Sequence, residues 1–383
     1  MPQRLFALVA AVVLVDTMFY AAIAPLLPHY VDTLDLSKTA AGVLSASYAA
    51  GTLIGALPSG WVAARAGVKA TMLGGLSLMS ATSIAFAFGD SIQMLDAARF
   101  LQGIGGALSW TGGLAWLMAV APRNRRGTLL GSAMAAAIGG VLLGPVLGGA
   151  AAEIGPEPVF SLVAVLGVGL ATWTLTMPGG APSERPQLGQ VASAITSRSV
   201  LTGAWLVAVA ALFAGAIDVL VPLRLDVLGA SGAAIGAIFL AAAAAEGVTS
   251  RALGGVSDRR GRLVPIRMGL VFSGVMAMLI PLPEVVATMA LALMLAVVAL
   301  GFLWAPSMAL LSDAADTTGL DQGFALALTS FAWAGGQVIG GSVGASIADA
   351  TSDAVPYLIV AALFALTWLA LSERFRPLPV RAR

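Results

Sequence analysis

The chain has 383 residues, of which 59% are hydrophobic and 10% charged, and its formal net charge is +1. A soluble domain carries about 25% charged residues, so this composition excludes a water-soluble globular protein and indicates an integral membrane protein. Cysteine is absent and His29 is the single histidine, which excludes disulfides, thiolate metal sites and a histidine-rich metal centre.

Apolar runs of about 20 residues, the length that crosses the hydrocarbon of a bilayer, recur along the chain in two sets. The first set is predicted at 5–27, 39–63, 70–89, 94–119, 128–152 and 157–177. The second set is predicted at 200–223, 232–253, 264–281, 286–311, 323–347 and 354–372. The first run lacks a small-residue cleavage site, so we interpret it as a retained span and not as a signal peptide.

The stretch between the two sets is polar and rich in Pro, Gly and Ser, as is typical of a linker. The sequence therefore predicts an N-terminal half of six helices (1–178), a cytoplasmic linker (179–199), a C-terminal half of six helices (200–373) and a cytoplasmic tail (374–383). If the N-terminus is cytoplasmic, nearly all Lys and Arg residues fall on the cytoplasmic side, as the positive-inside rule requires. We expect a multi-pass protein of the plasma (inner) membrane with both termini in the cytoplasm.

A short motif follows the second span of each half. It reads GWVAARAGVK at 60–69 and GGVSDRRGR at 254–262. The aligned pairs are Gly60 with Gly254, Arg65 with Arg259, and Gly67 with Gly261. Parallel repeats are typical of a transporter architecture with the substrate site between the halves. The alternative is that short Gly/Arg turns recur by chance.

Both copies resemble the loop signature G-x-L-A-D-R-x-G-R-K of the major facilitator superfamily, and the resemblance covers the whole chain. The second copy fits through Asp258, Arg259, Gly261 and Arg262, whereas Ala64 replaces the family's aspartate in the first copy. That aspartate helps to latch the cytoplasmic side in the family, so the resemblance implies that 258–262 carries more of the latch. The implied fold is all-α, with two six-helix bundles related by a pseudo-two-fold axis along the membrane normal.

Two further stretches resemble signatures of drug:proton antiporters in this superfamily. RFLQGIGGA at 99–107 resembles R-x-x-Q-G-x-G-A, which assigns Arg99, Gln102 and Gly103 to it. The fifth span matches G-x8-G-x3-G-P-x2-G-G without a mismatch. Its residues are Gly131, Gly140, Gly144, Pro145, Gly148 and Gly149.

Glycines at four-residue spacing give a helix a smooth face for close packing in lipid, and the proline bends the helix. By family resemblance the face formed by Gly140, Gly144 and Gly148, with Gly149 beside it, is predicted to pack against the eighth span across the two halves. There it would act as a moving seal. Static packing is the alternative.

Ionisable residues inside a membrane are costly and therefore functional candidates. Asp16 lies about 18 Å along the first span, in a setting that resembles vesicular amine transporters, where the matching aspartate serves amine recognition or coupling. Glu246 is similarly deep in the eighth span, and Asp218 and Arg99 lie nearer the outside. The alternatives are a structural hydrogen bond for Asp16, interfacial snorkelling for Arg99, and contact with outer water or Arg224 for Asp218.

Aromatic residues near the middle of several spans are candidates to line a pocket for a flat or cationic ligand; ordinary helix packing is the alternative. They are Tyr20, Tyr48, Trp110, Trp205, Trp304 and Trp333, with Phe302 and Phe331. One departure from the vesicular amine transporters is Ser330, which aligns roughly with an aspartate of a late span in that subfamily.

These features favour a monomeric proton-coupled antiporter that exports small amphipathic or cationic compounds by alternating access. It would use the proton gradient and no cofactor or metal, with substrate, protons and the bilayer as its partners and no nucleic acid. The alternatives are a symporter for a small metabolite, which the signature in the fifth span disfavours, and a membrane receptor or lipid-handling protein with the same fold. No nucleophile–base pair or phosphate loop is evident in the sequence, so we do not expect an enzyme.

Overall fold

The computed structural model describes residues 2–121, 126–179, 197–317 and 322–374, and the regular structure in these ranges is helical. The helices of the first two ranges are α1 Pro2–Ala21, α2 Ile23–Leu34, α3 Lys38–Ala66, α4 Val68–Ala87, α5 Ile92–Val120, α6 Arg126–Ile154 and α7 Pro156–Thr176. Those of the last two ranges are α8 Arg198–Val227, α9 Gly232–Arg260, α10 Leu263–Leu279, α11 Val286–Thr317, α12 Gln322–Val338, α13 Gly344–Ala350 and α14 Ala354–Arg374. The predicted linker, 179–199, lies mostly outside the described residues.

Ten helical segments in the described ranges are long and apolar enough to cross a membrane, and α10 is a shorter apolar helix. The remaining predicted span, 323–347, corresponds to α12 and α13, which are joined by a π-helical turn at Ile339–Val343. The protein is thus a multi-pass, all-helical membrane protein, and the predicted fold class is confirmed.

The first span is one apolar segment, Gln3–Leu34, and a turn at Ala22 divides it into α1 and α2. Pro25 has no backbone N–H to donate to the carbonyl of Ala21, which is the bond that would continue the helix. The break therefore falls where the sequence removes a hydrogen bond. The predicted first span, 5–27, lies within this segment.

The internal repeat is visible in the backbone. Ser37 caps α3 by accepting a hydrogen bond from the N–H of Ala40 (3.2 Å), and Ser231 caps α9 from the N–H of Ala234 (3.3 Å). The same two helices end at Gly67 (φ 89°) and Gly261 (φ 81°). Only glycine adopts this conformation without strain, so both copies of the motif need glycine at this position for the same reason, the positive φ at the end of the helix.

We call the end of the bundle with Ser37 and Ser231 the outer end, and the end with Gly67 and Gly261 the inner end. Within the N-terminal half α5 packs on α3 and α4, and α1 packs on α6. In the C-terminal half α8 packs on α11 and α12. Contacts between the halves are made mainly by α6 with α9 and by α3 with α12 and the π turn.

The glycine face of α6 packs differently from its prediction. Cβ atoms added at Gly140, Gly144 and Gly148 would meet Thr17 Oγ1 (2.0 Å), the Ala21 Cβ (2.5 Å) and the Ala22 carbonyl (2.0 Å), so this face lies against the first span of the same half. The predicted partner, the eighth span, is wrong for these three glycines.

Gly149 is the glycine of α6 that faces the other half. A Cβ there would lie 3.1 Å from the carbonyl oxygen of Gly232 and 3.4 Å from the Cα of Gly236, both on α9. Gly149 lies about 100° further round the helix than Gly148, which is why neighbouring glycines meet different helices. Gly131 has no heavy atom within 4 Å of such a Cβ among the described residues.

Candidate functional site

The carboxylate of Asp16 is buried in the N-terminal half, with 4% of the residue exposed. Its Oδ1 accepts a hydrogen bond from the Tyr48 hydroxyl (2.7 Å), and its Oδ2 accepts one from Trp110 Nε1 (2.6 Å). A Cβ at Gly106 would lie 2.8 Å from that Oδ1 and 2.5 Å from the hydroxyl. Because Gly106 has no side chain, α5 leaves room at this point for the Asp16 carboxylate and the Tyr48 hydroxyl.

Arg99 lies in the same half and is 1% exposed. Its guanidinium carbon is 5.1 Å from the ring centroid of Tyr48, 5.5 Å from that of Phe19 and 5.9 Å from that of Phe86. The guanidinium donates to the carbonyls of Phe19 (3.4 Å) and Tyr20 (3.3 Å). The Arg99 side chain therefore does not extend to the membrane interface. Desolvated cation–π contacts of this kind contribute about 2 kcal/mol.

Tyr20 links the two halves at this depth. Its hydroxyl donates to Asp218 Oδ2 on α8 (3.4 Å), which also accepts from Gln337 Nε2 on α12 (3.5 Å). The Tyr20 ring lies against Tyr48 (centroids 5.3 Å apart) and against Trp333 of the other half (5.2 Å). Asp16 and Asp218 are thus connected through two adjacent tyrosines, each of which bonds one of the carboxylates.

The remaining membrane charges are arranged separately. Arg224 donates to the carbonyl of Pro283 (3.3 Å), and Asp218 is bonded by Tyr20 and Gln337 and not by Arg224. Glu246 is half-buried on α9 and lies within electrostatic range of Asp218. The charged neighbour of Glu246 is thus Asp218, which lies in the same half.

The predicted pocket aromatics divide into two groups. Tyr20, Tyr48, Trp110 and Trp333 contact the carboxylates or one another. Trp205 does not belong to the site: it is 46% exposed, and its Nε1 donates to Thr367 Oγ1 (3.0 Å). Trp304 packs on the hydrophobic core of the C-terminal half. Phe302 packs edge-on against Phe272, and Phe331 is 45% exposed.

Two residues of the site were not predicted. Gln337 lies in an apolar span just before the π turn, and an isolated amide at such a depth is a signal that could have found it. Gly106 belongs to the stretch that resembles the antiporter signature, but its role depends on its distance to Asp16 and could not be read from the sequence.

The motif residues have mostly structural contacts. Gln102 Nε2 donates to the carbonyl of Thr82 (3.2 Å), and a Cβ at Gly103 would lie 1.9 Å from the carbonyl oxygen of Tyr48. Gly60 lies within α3. The Arg65 guanidinium stacks over the Trp61 ring at 5.0 Å.

In the second copy of the motif, Arg262 forms an ion pair with Asp313 of the same half (3.0 Å). Gly254, Asp258 and Arg259 lie in α9, but their side-chain surroundings fall outside the described part of the structure. The predicted latch therefore stays a prediction at those positions. Among the described residues, no group of three or more His, Asp and Glu side chains is placed to hold a metal ion.

The two halves are joined at the outer end. Lys38 Nζ is 2.5 Å from Asp353 Oδ1, and the Thr39 hydroxyl donates to Asp349 Oδ2 (2.8 Å). That hydrogen bond lowers the pKa of Asp349 below its ordinary value. Glu153 adds a contact from α6 by accepting from the N–H of Ala233 (3.1 Å). The structure thus shows a conformation that is closed at the outer end.

Comparison with known proteins agrees with this architecture. The chain is 30% identical over 179 residues to the vesicular acetylcholine transporter of Torpedo marmorata, which covers 38% of this chain and 35% of that protein. It is 31% identical over 171 residues to multidrug resistance protein 1 of Bacillus subtilis strain 168, which covers 44% of each. The matched regions span less than half the length of these two relatives.

The fold is similar to the crystal structure of a D-xylose-proton symporter, with a TM-score of 0.76 at 18% identity over 98% of both chains. The sequence model of the Major Facilitator Superfamily matches residues 9–320 and 203–383. Together these matches cover nearly the entire chain. The protein therefore belongs to the Major Facilitator Superfamily of membrane transporters.

Proposed function

We propose that this transporter is a proton-coupled antiporter that exports small cationic or amphipathic organic compounds. The observation that carries the proposal is the buried connection from Asp16 through Tyr48 and Tyr20 to Asp218, since it joins a carboxylate in each half. A carboxylate among aromatic rings suits an organic cation, because the charge pairs with the acid and the apolar part stacks on the rings.

The same carboxylates give a physical route to coupling. A proton and an organic cation compete for an ionised carboxylate, and the protonated acid no longer attracts the cation. Protonation also lowers the cost of carrying the group through an apolar environment. The proposed coupling step is therefore the exchange of a proton for an organic cation at Asp16 or Asp218. Glu246 would be a further proton acceptor in the C-terminal half.

The bond between Tyr20 and Asp218 relates this chemistry to movement. It crosses between the halves, so it must break when the halves separate at that depth. A proton or a cation on Asp218 weakens the acceptor of that bond, which favours separation. Alternating access would then follow from occupancy of the site, with the outer contacts of Lys38 and Thr39 reforming after release.

Several further points belong to the same proposal. The relatives' names refer to acetylcholine and to multidrug resistance, which supports an organic cation as substrate class. The protein would act as a monomer in the plasma membrane, with both termini cytoplasmic, the proton gradient as its energy source and no cofactor.

The test of the proposed function is reconstitution in liposomes with an internal pH-sensitive dye and a panel of amines, lipophilic cations, sugars and acids. Substrate movement without proton movement would contradict the proposal.

Tyr20→Phe removes only the hydroxyl that crosses to Asp218. A hydrogen bond to a charged group contributes about 1.5–3 kcal/mol. Without it, separation of the halves no longer depends on whether Asp218 is charged, so we expect coupled, substrate-driven proton movement to fall by about tenfold or more. The matched control is Tyr30→Phe, because the buried Tyr30 hydroxyl has no hydrogen-bond partner among the described residues. Equal rates in the two variants would show that the interhalf bond has no part in transport.

A further inference from the structure

A cavity of about 260 Å³ lies at the outer end of the C-terminal half. It is bounded by the end of α8, the connection between α10 and α11, and the start of α14. Its polar lining consists of Arg224, Ser352, Asp353 and Tyr357, and the rest of the lining is apolar. A guanidinium, a carboxylate and two hydroxyls thus line the same cavity.

The present partner of Asp353 comes from the other half. Lys38 begins α3, and its Nζ is 2.5 Å from Asp353 Oδ1. The two side chains are 39% and 35% exposed, respectively, and ion pairs this exposed contribute little to stability. The ion pair therefore joins the two halves at the outer end but adds little to the stability of the closed state.

Tyr357 and Arg224 have unused hydrogen-bonding capacity. Tyr357 is 2% exposed, and its hydroxyl has no hydrogen-bond partner among the described residues, although a buried hydroxyl without a partner is costly. It follows Asp353 by four residues, about one helical turn. A guanidinium has five N–H donors, and Arg224 directs one nitrogen to the carbonyl of Pro283.

We propose that Asp353 exchanges Lys38 for Arg224 and Tyr357 when the outer end opens. Lys38 moves away with the N-terminal half, whereas Asp353, Arg224 and Tyr357 stay together on the C-terminal half. The cavity is then a carboxylate-binding site whose occupant is a side chain of the same protein. Arg224 and Tyr357 are positioning residues of the transport cycle, because they keep Asp353 paired in the open state.

The inference rests on the proposed function in that the halves separate at the outer end and that this end faces away from the cytoplasm. Its test needs neither substrate nor protons. Because the chain has no cysteine, Ala46→Cys gives a single thiol on α3. Ala46 is 6% exposed, and its Cβ lies 3.5 Å from a Cβ built at Gly341 of the other half. A membrane-impermeant thiol reagent added outside labels it only while the outer end is open.

We expect Arg224→Gln and Tyr357→Phe, each in the Ala46→Cys background, to slow labelling by about three- to tenfold, since the open state loses a partner of Asp353. Arg224→Lys keeps the charge and should restore most of the rate. In a background that also carries Asp353→Asn, the Arg224→Gln and Tyr357→Phe changes should have no further effect.

Two results would overturn the exchange. One is an equal slowing by Arg224→Gln or Tyr357→Phe with and without Asp353→Asn, which would mean that these residues act on the fold and not through the carboxylate. The other is a labelling rate that none of the substitutions changes. A parent protein that is never labelled from outside would contradict opening at this end, and with it both the alternating-access proposal and the exchange. Labelling without proton movement would contradict the coupling proposal alone.

Discussion

Asp16→Asn is expected to reduce substrate-driven proton movement by at least about 100-fold, equivalent to about 2.7 kcal/mol. The substitution removes the negative charge at the centre of the site and leaves its size unchanged. The amide presents a donor to one of two groups that are themselves donors, Tyr48 Oη and Trp110 Nε1. The site therefore loses its attraction for both the proton and an organic cation. The measurement is dye quenching in liposomes after addition of a substrate identified with the parent protein.

The matched control is Asp90→Asn, because Asp90 is exposed in the connection between α4 and α5 and does not belong to the site. It should leave transport unchanged. Glu246→Gln, measured alongside, separates the two candidate coupling groups: a comparable loss would make Glu246 an equal partner, and a small loss would assign coupling to Asp16 and Asp218. Undiminished proton movement in Asp16→Asn would refute its assigned role.

Gly148→Ala is expected to lower the free energy of unfolding by about 2–3 kcal/mol and to abolish transport. The new Cβ would lie 2.0 Å from the carbonyl oxygen of Ala22. That oxygen is a backbone atom at the break between α1 and α2, so the clash cannot be relieved by moving a flexible side chain. The helices must separate, which displaces the first span and Asp16 with it. Thermal denaturation in detergent measures the stability, and the liposome assay measures transport.

Gly139→Ala on the same helix is the comparison. A Cβ there would approach Leu14 Cδ1 at 3.6 Å, which is ordinary contact, and alanine is the better helix former. We expect unchanged or slightly higher stability and normal transport. If both alanine variants behaved alike, the close packing of α6 on the first span would not be what requires glycine at 148.

The sequence by itself determined those features that depend on local physics. Hydropathy located the spans, because each must satisfy its own backbone in lipid. The aligned motifs located Gly67 and Gly261 as equivalent helix ends, because a positive φ requires glycine wherever it occurs. Depth along the first span identified Asp16, since an intramembrane carboxylate is costly in any fold.

Tertiary structure alone decided which surfaces meet. The periodic glycines of α6 predicted close packing correctly but not its partner, because a smooth face fits any neighbour at the right distance, and the neighbour of Gly148 is the first span. Trp205 and Trp110 look equivalent in the sequence, yet only Trp110 reaches Asp16. The direction in which a side chain points around a helix of mixed apolar faces is set by the packing of all the helices together. The same holds for the bond from Tyr20 to Asp218, whose residues are 198 positions apart in the chain.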